Sequence, residues 1–198
     1  MITGAKRWKE IEVYYQQDNN PTEAFLKSTL GSRDGWLESC GPTAAVNCLA
    51  AMGHNMNIIC PGDYRPQPEE VLMDYFNDPR NKSALDTVRV VGDDIPENRV
   101  PQYYPLGVRK VFRAKAKFMW GLDFRGVMAY VAEGFAVQIC LEKPGHYLAV
   151  IAYDGARCEL IYNDPWNERD GKSGWLRRMG RTEFEGNVQT YFIVYGID

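Results

Sequence analysis

The sequence predicts an α+β domain, on three observations. Two segments with helical periodicity, 40–53 and 68–76, lie in the first half of the chain, and a third covers 123–134. Four strand candidates, 135–142, 146–153, 158–163 and 188–195, follow them. Helices first and closely spaced strands later are the order of an α+β fold rather than of alternating βα units. With 198 residues and 45% hydrophobic content the chain is long enough for one well-packed domain, so 1–198 is read as a single unit.

The first helix opens Cys40-Gly41-Pro42-Thr43-Ala44-Ala45-Val46-Asn47-Cys48-Leu49-Ala50-Ala51-Met52-Gly53. Proline suits the first turn, where its missing N–H costs nothing. Ala45, Cys48, Leu49 and Met52 recur at helical spacing and define a buried face, and Gly53 supplies the stop. Upstream, Ile11–Tyr15 alternates as a short strand would, and 21–30 fits a short helix capped by Thr22. Residues 54–68 are loop by their proline and glycine. Pro68-Glu69-Glu70 opens the second helix, which directs Val71, Leu72, Tyr75 and Phe76 to the core. The polar, proline-punctuated stretch 77–105 reads as loop with a short helix. Asp123 caps the third helix and Gly134 follows its end. Asp154-Gly155-Ala156-Arg157 reads as the turn joining strands 146–153 and 158–163.

Cys40 begins a helix, where the positive end of the dipole favours thiolate, the nucleophilic form. By itself this leaves a nucleophile and an inert buried cysteine equally supported. Histidine scarcity adds to the first. The chain has two histidines, and His54 follows the Cys40 helix, roughly 18 Å away at 1.5 Å per residue. His146 is then the candidate base, at the start of the run His146–Tyr153. The return strand ends in Asn163-Asp164-Pro165-Trp166, so a hairpin about 154–157 brings Asp164 back toward His146. Register decides whether they meet. If 153 pairs with 158, Asp164 points to the other face. If 154 pairs with 158, Leu148 opposes Asp164, and His146 and Asp164 become diagonal neighbours on one face. Asn-Asp-Pro read as a plain strand-ending turn is the alternative.

Cys40-Gly41-Pro42-Thr43-Ala44, then Gly145–Asp154, then Tyr162-Asn163-Asp164-Pro165-Trp166, in that order, resembles the papain-like peptidases related to the bacteriocin-leader-processing, or double-glycine, peptidases. The resemblance implies a helical half carrying the nucleophile and an antiparallel sheet half. It also implies Cys40 as nucleophile, His146 as general base and acid, and Asp164 as the carboxylate that orients it. One departure stands out. Such peptidases place a glutamine about six residues before the cysteine to help hold the oxyanion, and here that position is Asp34. An ionised carboxylate repels an oxyanion, so either the loop is built differently, or backbone N–H groups carry that role, or activity is low or absent. Gln16 and Gln17 lie too far upstream to take the place of the missing glutamine.

Composition narrows the alternatives. A net charge of −3 and no extended basic stripe do not indicate nucleic-acid binding, and Arg177-Arg178-Met179-Gly180-Arg181 reads as a solvated loop. No apolar run is long enough to enter a bilayer as a spanning helix. The N-terminus lacks the apolar core of a signal peptide, so synthesis in a reducing cytoplasm is expected, with the host cell wall as a site of action after release. The cysteines, 40, 48, 60, 140 and 158, are odd in number and form no Cys-x-x-Cys, which argues against a disulfide framework or a zinc knuckle. Cys48, Cys140 and Cys158 lie in apolar runs and read as core residues. The 163–171 loop has oxygen ligands but not EF-hand spacing, so no metal and no cofactor is expected. Trp36 and Trp166, close in sequence to Cys40 and Asp164, are candidate rims of a cleft.

The expected function is a cysteine peptidase or amidase that hydrolyses peptide-like amide bonds through Cys40, His146 and Asp164. Peptidoglycan peptides are the first substrate, as for a phage or bacterial lysin. A silent papain-like binding domain and an acyltransferase are the alternatives.

Overall fold

The computed structural model describes residues 1–10, 15, 39–56, 67–89, 100–167 and 171–198. The expected strand at 11–15, apart from Tyr15, and the expected helix at 21–30 lie outside them, as do Gln16, Gln17, Asp34, Trp36 and Cys60. The described helices are α1 (Cys40–Ala51), α2 (Pro68–Asn77), α3 (Lys82–Asp86), α4 (Tyr103–Phe112), α5 (Phe124–Ala132) and α6 (Arg181–Asn187). The strands are β1 (Ile2–Gly4), β2 (Ala116–Trp120), β3 (Ala136–Leu141), β4 (His146–Asp154), β5 (Glu159–Asn163), β6 (Arg177–Gly180) and β7 (Val188–Tyr195). They form one antiparallel sheet in the order β2-β7-β3-β4-β5-β6, with β1 paired to the far end of β4. The α+β class is as expected.

The core lies on both faces of this sheet. On one face Ala45, Val46 and Leu49 of α1 and Leu72 and Phe76 of α2 pack with Tyr104 of α4 against Tyr147, Ala149 and Ile151 of β4. On the other, Phe124, Val127 and Val131 of α5 and Phe184 of α6 cover Leu148, Val150, Leu160 and Phe192. β4 is buried on both faces, which is why it reads as a continuous apolar run. α1 is likewise buried nearly all round, more than the single face its periodicity suggested, and Met52 is only partly covered.

Several expectations are corrected. On α2, Val71 and Tyr75 are half-buried, while Met73 and the carboxylate-bearing Glu69 are buried. The helix is covered near its N-terminus as well as along its apolar stripe, so Glu69 has no solvent-facing direction. Cys158 is an exposed turn residue with φ +54°, not part of a strand or of the core. The stretch 177–181 is β6 and the start of α6 rather than a loop, because residues 177–180 pair with β5 from Tyr162 to Glu159. β1, β2, α4 and α6 were not anticipated. α4 carries Pro105 and Gly107, which hide its periodicity. Gly107 is there for contact: a Cβ at this position would lie 2.4 Å from Cε1 of Phe76, so the glycine lets α4 approach α2.

Candidate active site

α1 presents Cys40 at its first turn as a half-exposed thiol outside any disulfide. Thr43 N–H closes that turn on the Ser39 carbonyl at 2.9 Å. The Gly41 carbonyl is gripped from the sheet. Gln138 Nε2 of β3 donates to it at 3.1 Å, and the Tyr195 hydroxyl donates to Gln138 Oε1 at 2.5 Å. All three residues are buried, so the helix start is tied to the sheet centre by satisfied polar groups.

His146 is the first residue of β4, following Gly145, whose φ of +80° brings the chain around the tight turn from β3. Its partner arrives through a register adjustment. Near the turn β4 and β5 pair as Asp154↔Glu159, Tyr153↔Leu160 and Ala152↔Ile161. Residue 158, which both expected registers placed in the ladder, stays in the turn. A bulge at Ile151 then shifts the pairing to Val150↔Tyr162 and Ala149↔Asn163. One residue further, Asp164 comes opposite Leu148 and diagonal to His146. The pairing that brings the two together is therefore the second of the expected registers, reached by a longer turn and a bulge.

His146 Nε2 and Asp164 Oδ1 are 2.6 Å apart, with the side chains 4% and 0% exposed. The same oxygen accepts the Trp166 N–H at 3.0 Å, an Asx turn across Pro165. The Asp164 N–H donates to the Gly174 carbonyl at 2.8 Å. The Trp166 ring stands edge-on to the imidazole, with centroids 6.2 Å apart, and is half-buried. Burial pushes the His146 pKa down, but hydrogen bonds to Asp164 and to Cys40, together with their charges, outweigh it and raise the pKa to about 9. Asp164 takes Nε2, so Nδ1 is the ring nitrogen left for Cys40. The structure thus brings Cys40, His146 and Asp164 together. His54 lies apart from them, half-buried just past the end of α1, with burial lowering its pKa.

Three supporting residues escaped the sequence reading. Asn163 Nδ2 donates to Asn47 Oδ1 at 3.2 Å, and Asn163 Oδ1 accepts the Leu176 N–H at 3.0 Å. Asn47 Nδ2 donates to the carbonyls of Thr43 and Tyr15. This buried amide pair links the middle of α1 to the residue preceding Asp164. Arg177 approaches Asp164 Oδ2 at 3.5 Å. A lone asparagine in the apolar run of α1, like the lone Gln138 in β3, was the available signal. Among the described residues no cluster of His, Cys, Asp and Glu is placed to hold a metal, and no helix is long and apolar enough to cross a membrane.

No curated protein matches the chain. Among solved structures it is similar to a double glycine motif protease from an AMS/PCAT transporter in complex with the leader peptide. That likeness has 15% identity and a TM-score of 0.47, and covers 81% of this chain and 86% of the other. A putative C39-like peptidase from Bacillus anthracis is similar at 17% identity and a TM-score of 0.34, over 48% of this chain and 57% of the other. The model of the Peptidase_C39 like family matches residues 9–191. The chain belongs to this family, and that membership supports a cysteine peptidase.

Proposed function

We propose that the chain hydrolyses peptide bonds, with Cys40 as nucleophile, His146 as base and acid, Asp164 as the orienting carboxylate and residues 1–198 acting as one domain. The observation that carries this reading is the position of His146, hydrogen-bonded to Cys40 on one side and to Asp164 at 2.6 Å on the other. Part of what lifts His146 to about 9 is the Cys40 charge itself, so imidazolium and thiolate stabilise one another at neutral pH. Cys40 Sγ attacks the amide carbon. The imidazolium gives its proton to the leaving amine, and a thioester forms. Water, deprotonated by the now neutral His146, attacks the thioester and releases the acid. The developing oxyanion lies at the start of α1, where the dipole is positive and the Cys40 N–H is the donor we assign to it. Asp164 fixes the ring and stabilises the imidazolium without taking its proton.

The first substrate to test is the peptide of bacterial peptidoglycan. Purified peptidoglycan and casein are incubated separately with the protein and with Cys40→Ala, and the fragments are read by mass spectrometry. New amino termini from one substrate, absent with Cys40→Ala, support the reading and identify the class. Fragments that persist with Cys40→Ala refute the assignment of the nucleophile. If neither substrate is cut and Cys40 is inert to iodoacetamide at pH 6, a silent binding domain is the better description. Amine incorporation in place of hydrolysis identifies an acyltransferase.

A further inference from the structure

The basic run at 177–181 divides its work by strand alternation. Residues 177 and 178 of β6 leave on opposite faces. Arg178 Nη1 lies 3.0 Å from both Asp154 Oδ2 and Glu159 Oε2, at the outer end of the β4–β5 hairpin. Arg177 turns to the other face. Its guanidinium lies over the ring of its cross-strand partner Tyr162, 5.9 Å from the centroid, and its Nη1 is 3.5 Å from Asp164 Oδ2. The side chain is only 16% exposed. We propose that Arg177 is a positioning residue, one that holds the Asp164 carboxylate from the side away from His146 and thereby sets how tightly the imidazole keeps its proton.

Asp164 is fully buried between two basic groups. Oδ1 is occupied by His146 and by the Trp166 N–H, and Oδ2 faces Arg177. At 3.5 Å the guanidinium acts through its charge more than through a directed hydrogen bond. That charge is present at every pH. With Arg177 in place, a neutral His146 still leaves Asp164 the guanidinium at 3.5 Å. Without it, losing the imidazolium proton removes a larger share of the positive charge set against the buried carboxylate, so the proton is held more tightly. Repulsion between guanidinium and imidazolium disappears at the same time, and both effects act upward. Among the described residues the ionisable groups acting directly on His146 are Cys40 from α1 and Asp164 beyond β5. Tyr104 of α4, Cys140 of β3 and Tyr191 of β7 face Cys40, and burial keeps them protonated. Guanidinium and imidazole are separated by roughly 7 Å through the carboxylate, which at an effective dielectric of about 20 corresponds to a shift on the order of one pH unit.

The consequence for rate rests on the peptidase reading; the coupling itself does not, and it is tested without activity. The chain has two histidines, so protein labelled at histidine gives two ring signals, which His54→Gln assigns. Arg177→Gln is expected to raise the titration midpoint of His146 by about one pH unit and to leave His54 unmoved, while Arg177→Lys stays within about 0.3 unit of the parent. A folded Arg177→Gln whose His146 midpoint is unchanged or lower overturns the proposal. Should Arg177→Gln not fold, Arg177→Lys decides. A folded protein with the parent midpoint supports the charge, and one that also fails to fold refutes it, because the residue would then act by packing. An inactive parent protein that still shows the shift would defeat the peptidase reading and leave this one standing.

Discussion

Asp164→Asn isolates the charge at the proposed site with little change of shape. The asparagine Oδ1 can still accept from His146 Nε2–H and from the Trp166 N–H, now 2.6 and 3.0 Å away. Its Nδ2 replaces Oδ2 and meets Arg177 Nη1 donor to donor at 3.5 Å. What is lost is the anion that, with Cys40, lifts His146 to about 9 against the cost of burial. If Asp164 supplies about half of the rise above the ordinary histidine value of about 6.5, the midpoint falls by about one pH unit, a factor of roughly ten in the stability of the thiolate–imidazolium pair. The assay is alkylation of Cys40 by iodoacetamide between pH 5 and 10, read by peptide mass spectrometry so that the exposed Cys158 is counted separately. At pH 6 Cys40 in the parent is expected to react about tenfold faster than in Asp164→Asn, with the two rates converging at high pH. Linkage gives a second reading. The folded-state pKa of His146 lies above its unfolded value, so its contribution to stability is complete below about pH 6.5 and fades as the pH rises through about 9. Asp164→Asn should flatten that slope. Superimposable alkylation profiles and equal slopes would refute the claim that Asp164 is electrically coupled to the thiol through His146.

Glu69 is fully buried, among the described residues no other residue hydrogen-bonds its carboxylate oxygens, and its pKa is pushed up to about 7, first by burial and further by Glu70, against a lowering from its own backbone N–H. A carboxyl with a raised folded pKa makes stability fall as the pH rises from about 4.5 to 7, so Glu69→Gln should gain about 3 kcal/mol at pH 8 and less than about 1 kcal/mol at pH 5. Urea unfolding at the two pH values checks this, and an equal effect at both would contradict it. Gln138→Leu removes the grip on the Gly41 carbonyl and leaves the buried Tyr195 hydroxyl without its acceptor, at a cost of about 2–3 kcal/mol. A thermal melt of Gln138→Leu that matches the parent would show the tie to be dispensable. His54→Ala, beyond the end of α1 and apart from the site, should leave Cys40 alkylation within about twofold of the parent, whereas His146→Ala should reduce it at pH 6 at least as much as Asp164→Asn.

Local pattern alone determined the elements that carry the site. Proline, small apolar residues and a closing glycine mark α1, Asp123 caps α5 by accepting the Gly126 N–H, and predominantly apolar runs mark β3, β4 and β7. The candidate residues Cys40, His146 and Asp164 were legible because nucleophile, base and carboxylate each stand at the end of such an element and the chain offers so few histidines. Tertiary structure decided what periodicity does not encode. A bulge at Ile151 costs nothing visible in the sequence, yet it selects the face on which Asp164 emerges, because one residue of slip reverses every side chain of a strand. The short strands β1, β2 and β6 exist because partners stand beside them, which a run such as Arg177–Gly180 does not announce. Burial of Glu69, the Asn47–Asn163 bridge and the approach of Arg177 to Asp164 join residues far apart in the chain. Their charge and hydrogen-bonding consequences appear only when packing removes the water between them.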